Sequence, residues 1–442
     1  MARIRVAATA RPVLADAVRL RPPLIAAGVI AAFVLLVTLA LIATTLTHIV
    51  GGGYGANDFI SFYAAGEIVR TGHGSHLYDV QVQEVVERLR YHGGFRDMYA
   101  YVLPVFAAWI FAPFSKMPFA PAVLTWMALQ ALLLVALVRG LSQHLAGVPK
   151  LPRIVFLAVF ALSMPAVTSI IVGEVDLIIF TGVLLGYLLL RRDRQELAGV
   201  ALSLALFKPH LVIGIVLMLL VWRQWRTLLP FAATGGSLLV IPALLTSPGL
   251  LLANARLLAH FPAAGQRFSI DESAMPNWRG FVASATGHES VWLWLPGLAI
   301  IAVVVIVIAL PRWRAATNGR YAADQSYALA VMLPILISPH LHTQSLVLLF
   351  VPGAIALRGI FRPDAPEGRT LDRQLDAVTI LLLLFAAIFV LWYLAITAIA
   401  LTVFPLLLMY WLCAYRWPDA DTPLATLRTH HFEATPLAGA PG

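Results

Sequence analysis

The sequence predicts an all-α polytopic membrane protein with roughly 11–12 transmembrane helices, and three observations carry that prediction. Sixty per cent of the 442 residues are hydrophobic and 12% are charged, about half the charged share of a soluble domain. The apolar residues gather in runs that match, or nearly match, a hydrocarbon core about 30 Å thick. Arginines fall in short clusters between those runs, where they act as topology signals and form no basic face. The formal net charge of +9 therefore does not call for a nucleic-acid partner. A single cysteine, Cys413, excludes an internal disulfide and any cysteine-clustered metal site.

In chain order, Arg3, Arg5, Arg11, Arg19 and Arg21 precede an apolar run from about Leu24 to Leu46. That run is too long for a signal peptide and long enough to span, so it is expected to be an uncleaved first helix with the N-terminus in the cytoplasm. The first outer loop, 47–100, comes next. It opens with the glycine run Gly51–Gly55, which lacks a following Lys-Ser/Thr and is a flexible exit, not a phosphate loop. Asp58 stands just past it. Phe59, Phe62, Tyr63 and Gly66 share one helical face, and Val82, Val85, Val86 and Leu89 share another. Two short amphipathic helices on the outer membrane surface are expected there.

Eleven further apolar runs extend to Trp411, several too short to cross untilted, so broken or half-length helices are expected. Clusters at Arg191, Arg192 and Arg194, at Arg223 and Arg226, at Arg312, Arg314 and Arg320, at Arg358–Arg373 and at Arg416 belong inside. This places a second large outer loop, 247–290, and the corners Gly173-Glu174 and 338–344 outside. Arg139, Lys150 and Arg153 also ask to be inside, so one of the two runs between Tyr101 and Val138 must fail to cross. Residues 1–418 form a single membrane domain without visible internal repeats, and the proline-rich tail 419–442 is expected to be disordered and cytoplasmic.

Polar residues near or within the apolar runs mark the candidate site. A carboxylate at a bilayer edge is costly unless water reaches it or its charge is used, which singles out Asp58. Its bland reading is a helix cap before Phe59. Lys208 lies in FKPH within an apolar run, where a lysine costs about 2.5–3.5 kcal/mol on insertion scales. Pro209 would break that helix and let Lys208 and His210 line a cavity. Lys208 suits an anionic phosphate, yet could equally snorkel or pair with a structural carboxylate. Glu174 and Asp176 in GEVDL, and His340 and His342 in SPHLHTQ, occupy two helix corners. Acid and imidazole there could contact a sugar and a phosphate, or be ordinary loop residues; the His-x-His pair lacks further metal ligands, and no metal or cofactor is expected. In the second outer loop Arg267, Asp271, Glu272, Asn277 and Arg279 concentrate charge and hydrogen-bonding capacity.

NDFISFYAAGEIVRTGHGSHLYD, GEVDLIIF, FKPHLVIGIVLMLLVWRQWR and ISPHLHTQSL, in that order and spacing, resemble glycosyltransferase family 87 from about Asn57 to Arg358. The resemblance implies a C-type membrane glycosyltransferase fold, a polyprenyl-phosphate sugar donor, and a catalytic aspartate carried onto Asp58. Glu174 departs from the glutamine expected there. The resemblance further implies an inverting transfer of mannose or arabinose to a glycolipid or polysaccharide hydroxyl on the outer face of a bacterial inner membrane. Asp58 is then the general base, Lys208, His210, His340 and His342 face the donor phosphate, and Tyr63, Glu174 and Asn277 contact sugar or acceptor. A lipid-linked-sugar flippase or secondary transporter is the alternative, and would show paired halves with matching interruptions.

Overall fold

A computed structural model of the chain describes residues 58–90, 98–260, 272–287, 290–315, 320–361 and 400–415, with scattered helical positions in 32–47 and 374–388. Every regular element among the described residues is helical. The N-terminal arginines, Gly51–Gly55, Arg267, Asp271, the basic positions 362–373 and the 419–442 tail lie outside the described residues.

The first outer loop differs from expectation. Helix α1, Phe59–Arg70, does not lie on a surface: ten of its twelve residues are buried. Phe59 is packed among Phe111, Phe114, Phe119 and Trp126, while Phe62 stacks on Phe111 at 4.9 Å. Gly66 makes this possible. A Cβ at Gly66 would sit 2.6 Å from the backbone of Phe111, so the side-chain-free face lets α1 press against helix α3, Val105–Phe111.

Helix α2, Val80–Arg90, turns part of its apolar stripe outward. Val85 and Leu89 are more than half exposed, whereas Gln83 and Glu87 are fully buried. The reason is an unpaired backbone. Tyr101 N donates to Gln83 Oε1 (2.9 Å), Gln83 Nε2 donates to Leu77 O (2.7 Å), and Tyr99 N donates to Glu87 Oε2 (3.2 Å). Side chains one helical turn apart thus act as the partner strand that the extended segment 98–102 lacks. The outward valine and leucine suit a bilayer surface.

The parity question resolves in the next two elements. Helix α3 has seven residues and does not cross, whereas α4, Phe119–His144, has 26 and spans about 39 Å at 1.5 Å per residue. Helices α5, Lys150–Leu162, and α6, Met164–Val172, together make the next span and break at Ser163, whose hydroxyl caps α6. Gly173 closes α6 in the left-handed conformation, φ 79°, which a side chain would disfavour. The chain then reverses into α7, Asp176–Leu190.

Residues 197–222, expected as one interrupted helix, are a helical hairpin. Helix α8, Gln195–Leu202, runs into a 3-10 turn, Ser203–Phe207; Lys208 breaks the path with φ −130° and ψ 82°; Pro209–Val212 starts the return into α9, Ile213–Val221. Lys208 pairs with Asp176 at the start of α7, while Arg191, Gln195 and Gln224 line one cavity at the other end. The hairpin puts the Arg191–Arg194 and Arg223–Arg226 clusters on the same side, as one crossing could not.

Helix α10, Trp225–Thr246, returns to the site end, where Trp109 Nε1 donates to Thr246 Oγ1 (2.9 Å). Helix α11, Leu250–His260, comes next, and Asn254 Nδ2 there donates to Val102 O (3.1 Å), joining the two outer loops. Helices α12 (Trp278–Thr286), α13 (Val291–Ala315), α14 (Arg320–Ile337), α15 (Phe350–Ile360, entered through the 3-10 turn Thr343–Leu349) and α16 (Val403–Tyr415) complete the described bundle. Among the described residues five helical stretches are long and apolar enough to cross a membrane, and six shorter apolar helices accompany them. Leu-, Val- and Trp-rich outer faces on α4, α10 and α13 stay exposed, as lipid-facing surfaces do.

The packing of the outer loop is open to two tests. Gly66→Ala should lower the thermal midpoint of detergent-solubilised protein by an amount equivalent to about 1–3 kcal/mol, because the clash is with backbone; an unchanged midpoint would mean α1 and α3 are not in contact. Burial pushes the Glu87 carboxyl up to about 8, from 4.5 in a free side chain. The folded loop therefore holds a proton that the unfolded loop releases, so loop stability should fall as pH rises from about 4.5 to about 8. Hydrogen exchange at Tyr99 and Tyr101 should report that slope, and Glu87→Gln should flatten it.

Candidate active site

Three helix corners and one loop meet at one end of the bundle. The corner between α6 and α7 brings Glu174 and Asp176, the α8–α9 hairpin turn brings Lys208 and His210, the corner after α14 brings His340 and His342, and the start of α1 brings Asp58. Lys208 Nζ lies 2.9 Å from Asp176 Oδ2 and 3.2 Å from Glu174 Oε2. Asp176 is fully buried, and its other oxygen accepts a hydrogen bond from Ser345 Oγ at 2.7 Å. A buried ammonium needs such partners, so the pairing reading of Lys208 holds. It does not displace the phosphate reading, since the side chain keeps about a tenth of its surface exposed.

Asp58 stands at the N-cap position of α1 but does not cap it with its side chain. Its side chain takes no hydrogen bond from α1; its carbonyl instead accepts Ser61 N (3.1 Å) and Ser61 Oγ (2.8 Å). The charged groups that act on its carboxylate are Glu174, Lys208 and Asp176. Burial, reinforced by Glu174, raises the Asp58 carboxyl well above the ordinary carboxylate range. Burial raises Glu174 as well, with Lys208 opposing and Asp176 adding to the rise. Lys208 pairs with Glu174 and Asp176, and Asp58 adds a third carboxyl near them, so burial and like charge favour the protonated form of Asp58 and of Glu174.

The chain of contacts that sets Asp58 against Glu174 runs through side chains of α4. Phe59 lies on Trp126 with ring centroids 6.2 Å apart; Trp126 Nε1 donates to Gly173 O at 2.8 Å; Gln130, one turn on, donates to Glu174 O. Trp126 and Gln130 escape a reading of the sequence alone. A glutamine inside the apolar run 120–138 is the available signal, because an amide in a membrane helix needs an internal partner.

His340 and His342 face each other with Nε2 atoms 2.9 Å apart. Only one of those nitrogens can carry the shared proton. Burial and the neighbouring imidazole push His340 down, with Arg279 adding to the effect, and burial with the Lys208 charge pushes His342 down to about 4. Burial thus favours the neutral form of both rings, in which an N–H is available for donation. His210 lies exposed at the rim, close enough to Lys208, Asp176 and His342 to feel their charges.

Two expected contact residues serve the scaffold. Tyr63 Oη donates to Met117 O at 2.7 Å, and its charged neighbours are Glu67, Arg70 and Arg90, not the cluster. Asn277 caps α12 by accepting Gly280 N (2.9 Å) and donates through Nδ2 to Ser338 O (3.0 Å), fixing the histidine corner. Arg279, 1% exposed, reaches toward the same corner through Pro339 O (3.4 Å) and lies over the Trp294 ring. Among the described residues no group of three or more His, Cys, Asp or Glu is arranged to hold a metal ion.

A helical, multi-pass membrane scaffold with an acid, lysine and imidazole cluster at one end of its bundle is the class that fold and site define. Residues 101–339, more than half of the chain, match the model of glycosyltransferase family 87, and the protein belongs to that family. It is a membrane glycosyltransferase. No curated protein and no solved structure matches the chain. The matched residues include Glu174, Asp176 and Lys208 but stop short of Asp58, His340 and His342, narrower than the resemblance from 57 to 358.

Removing the lysine should expose the cost of the acids it neutralises. Lys208→Met should destabilise the folded protein by about 3–5 kcal/mol, and adding Asp176→Asn should recover part of the loss. Equal or additive losses in denaturant titrations would contradict a coupled buried pair.

Proposed function

We propose that the protein transfers a sugar, mannose or arabinose, from a polyprenyl-phosphate donor to a hydroxyl of a glycolipid or polysaccharide acceptor, with inversion at the anomeric carbon. The observation that carries this reading is the uncapped Asp58 carboxylate set against Glu174 and Lys208. Asp58 accepts the proton of the acceptor hydroxyl as that oxygen bonds to C1 of the sugar. The C1–O bond to the lipid phosphate breaks on the opposite face, and the phosphate leaves with the bonding pair. No covalent enzyme intermediate is required.

Negative charge grows on the departing phosphate. Lys208 faces it, with His210 and, from the His340–His342 pair, the one N–H that the two rings do not share. Glu174 helps select the sugar and raises the basicity of Asp58. Tyr63 and Asn277, tied to backbone carbonyls, hold α1 and the histidine corner in place.

The basic clusters Arg191–Arg194, Arg223–Arg226 and Arg312–Arg314 belong to the end of the bundle away from Asp58. The positive-inside rule makes that end cytoplasmic, so the reaction faces outward across a bacterial inner membrane. A donor carried by a long lipid then approaches laterally, and the exposed apolar faces of the bundle suit that route.

With purified protein and a short-chain polyprenyl-phosphate sugar, Asp58→Asn should lower transfer by about 10²–10⁴-fold while leaving the thermal midpoint near that of the wild type. Turnover within a few-fold of wild type would remove Asp58 from the mechanism. The base must be ionised to act and its carboxyl is raised, so activity should fall on acidification at a pH above the usual carboxylate range. Glu174→Gln removes a like charge beside Asp58 and should move that acidic limb to lower pH; an unmoved limb would contradict the coupling.

A further inference from the structure

The helices that carry the site also frame a cavity at their other ends, about 350 Å³ in volume, between the α7–α8 turn, the α9–α10 turn and the start of α14. That is the size of a small-molecule site, and the sugar-transfer chemistry leaves it unused. Aromatic rings form much of its lining. Tyr327 Oη donates to Val183 O (2.7 Å) and Trp222 Nε1 donates to Trp313 O (2.8 Å). Their polar atoms are engaged in the scaffold, so ring surface is what they offer.

Arg191 is the cation of this lining. Its Nη1 donates to Tyr187 Oη (3.0 Å) and to Asp324, and Tyr187 Oη donates on to Asp324 Oδ1 (3.0 Å). Among the described residues Nη1 is the one guanidinium nitrogen with a partner. Nε and Nη2, which form a single edge of parallel donors, have none. Asp324 does not cancel the local charge, because Arg358 also acts on it, leaving two guanidinium groups against one buried carboxylate. Asp193, the other acid of the lining, is exposed between Arg192 and Arg194. The Gln224 carboxamide, at the facing turn, has no partner among the described residues.

Both turns are held firmly. Asp193 and Arg223 adopt left-handed φ angles of 57° and 54°, and Arg194 N to Leu189 O (2.9 Å) and Gln224 N to Leu219 O (3.0 Å) close the helix ends around them. Side chains stand where glycine would be easier, so the rims are built and not slack.

The geometry points to a binding site in this cavity for a phosphate-bearing ligand, its oxyanion on the Arg191 Nε/Nη2 edge and the rest of it against the Tyr187, Trp222 and Tyr327 rings. A guanidinium edge matches two phosphate oxygens, and arginine stacks and pairs where lysine offers only a point charge. Gln224 supplies a donor for a further oxygen. The ligand is either a phospholipid headgroup or a free phosphate, and the end of the bundle rich in arginine is where anionic lipids gather.

Thermal stabilisation of the full-length protein in nonionic detergent tests this, with sodium phosphate and dihexanoyl phosphatidylglycerol as separate probes and chloride matched for ionic strength. At least one probe should stabilise the wild type, and its apparent affinity should fall about tenfold or more in Arg191→Gln. It should fall equally in Ala323→Phe, which fills the cavity while leaving both Arg191 and Asp324 in the chain. Stabilisation by sodium phosphate identifies a free phosphate site, and stabilisation by the lipid alone identifies a headgroup site. Asp58→Asn should bind as the wild type does, which separates this site from the sugar-transfer reading. No stabilisation by either probe, or an unchanged affinity in a folded Ala323→Phe protein, would overturn the proposal.

Discussion

A lysine that cannot be buried alone organises this protein. Lys208 stands at the tip of a helical hairpin, with an ammonium that would be costly in an apolar bundle. Asp176 and Glu174 meet it at 2.9 and 3.2 Å, and Ser345 satisfies the far side of Asp176. Those contacts bind the hairpin to the α6–α7 corner and to the turn that opens α15. Three separate parts of the chain are thereby brought to one point, and excess negative charge is left there. That excess is what Asp58 encounters when α1 docks.

Docking of α1 depends on a different kind of force. Its buried face is aromatic and its close approach to α3 depends on Gly66, so dispersion and shape position Asp58, not charge. The aromatic cluster continues through Trp126 to the Gly173 carbonyl. Packing thus delivers the carboxylate, and the ion network supplies the environment that makes it a stronger base than a free aspartate.

Much of this is legible in the sequence, and the gaps have identifiable causes. The membrane class is legible in the apolar runs, and the gathering of Asp58, Glu174, Lys208, His210, His340 and His342 in costly polar residues at the breaks between them. The hairpin at 197–222 is hidden because its total length equals one generous span; the matching sign of the two flanking arginine clusters is the signal that reveals it. Helix α1 reads as a surface helix because its aromatic face alone does not tell bilayer from protein. Helix α2 reads only half correctly because amphipathic periodicity cannot foresee Gln83 and Glu87 pairing with the backbone of 99–101. Tyr63 and Asn277 look like contact residues because a polar side chain in a loop does not announce a backbone partner far along the chain.

Asp58, from a loop, has its carboxyl raised by burial and by Glu174, with Lys208 opposing the rise. Infrared difference titration of the carboxyl groups, wild type minus Asp58→Asn, measures this without substrate. The expected result is a protonated Asp58 carboxyl signal that persists well above the ordinary carboxylate range. A signal that ionises where a solvent-exposed aspartate does would show that the loop does not dock against the cluster.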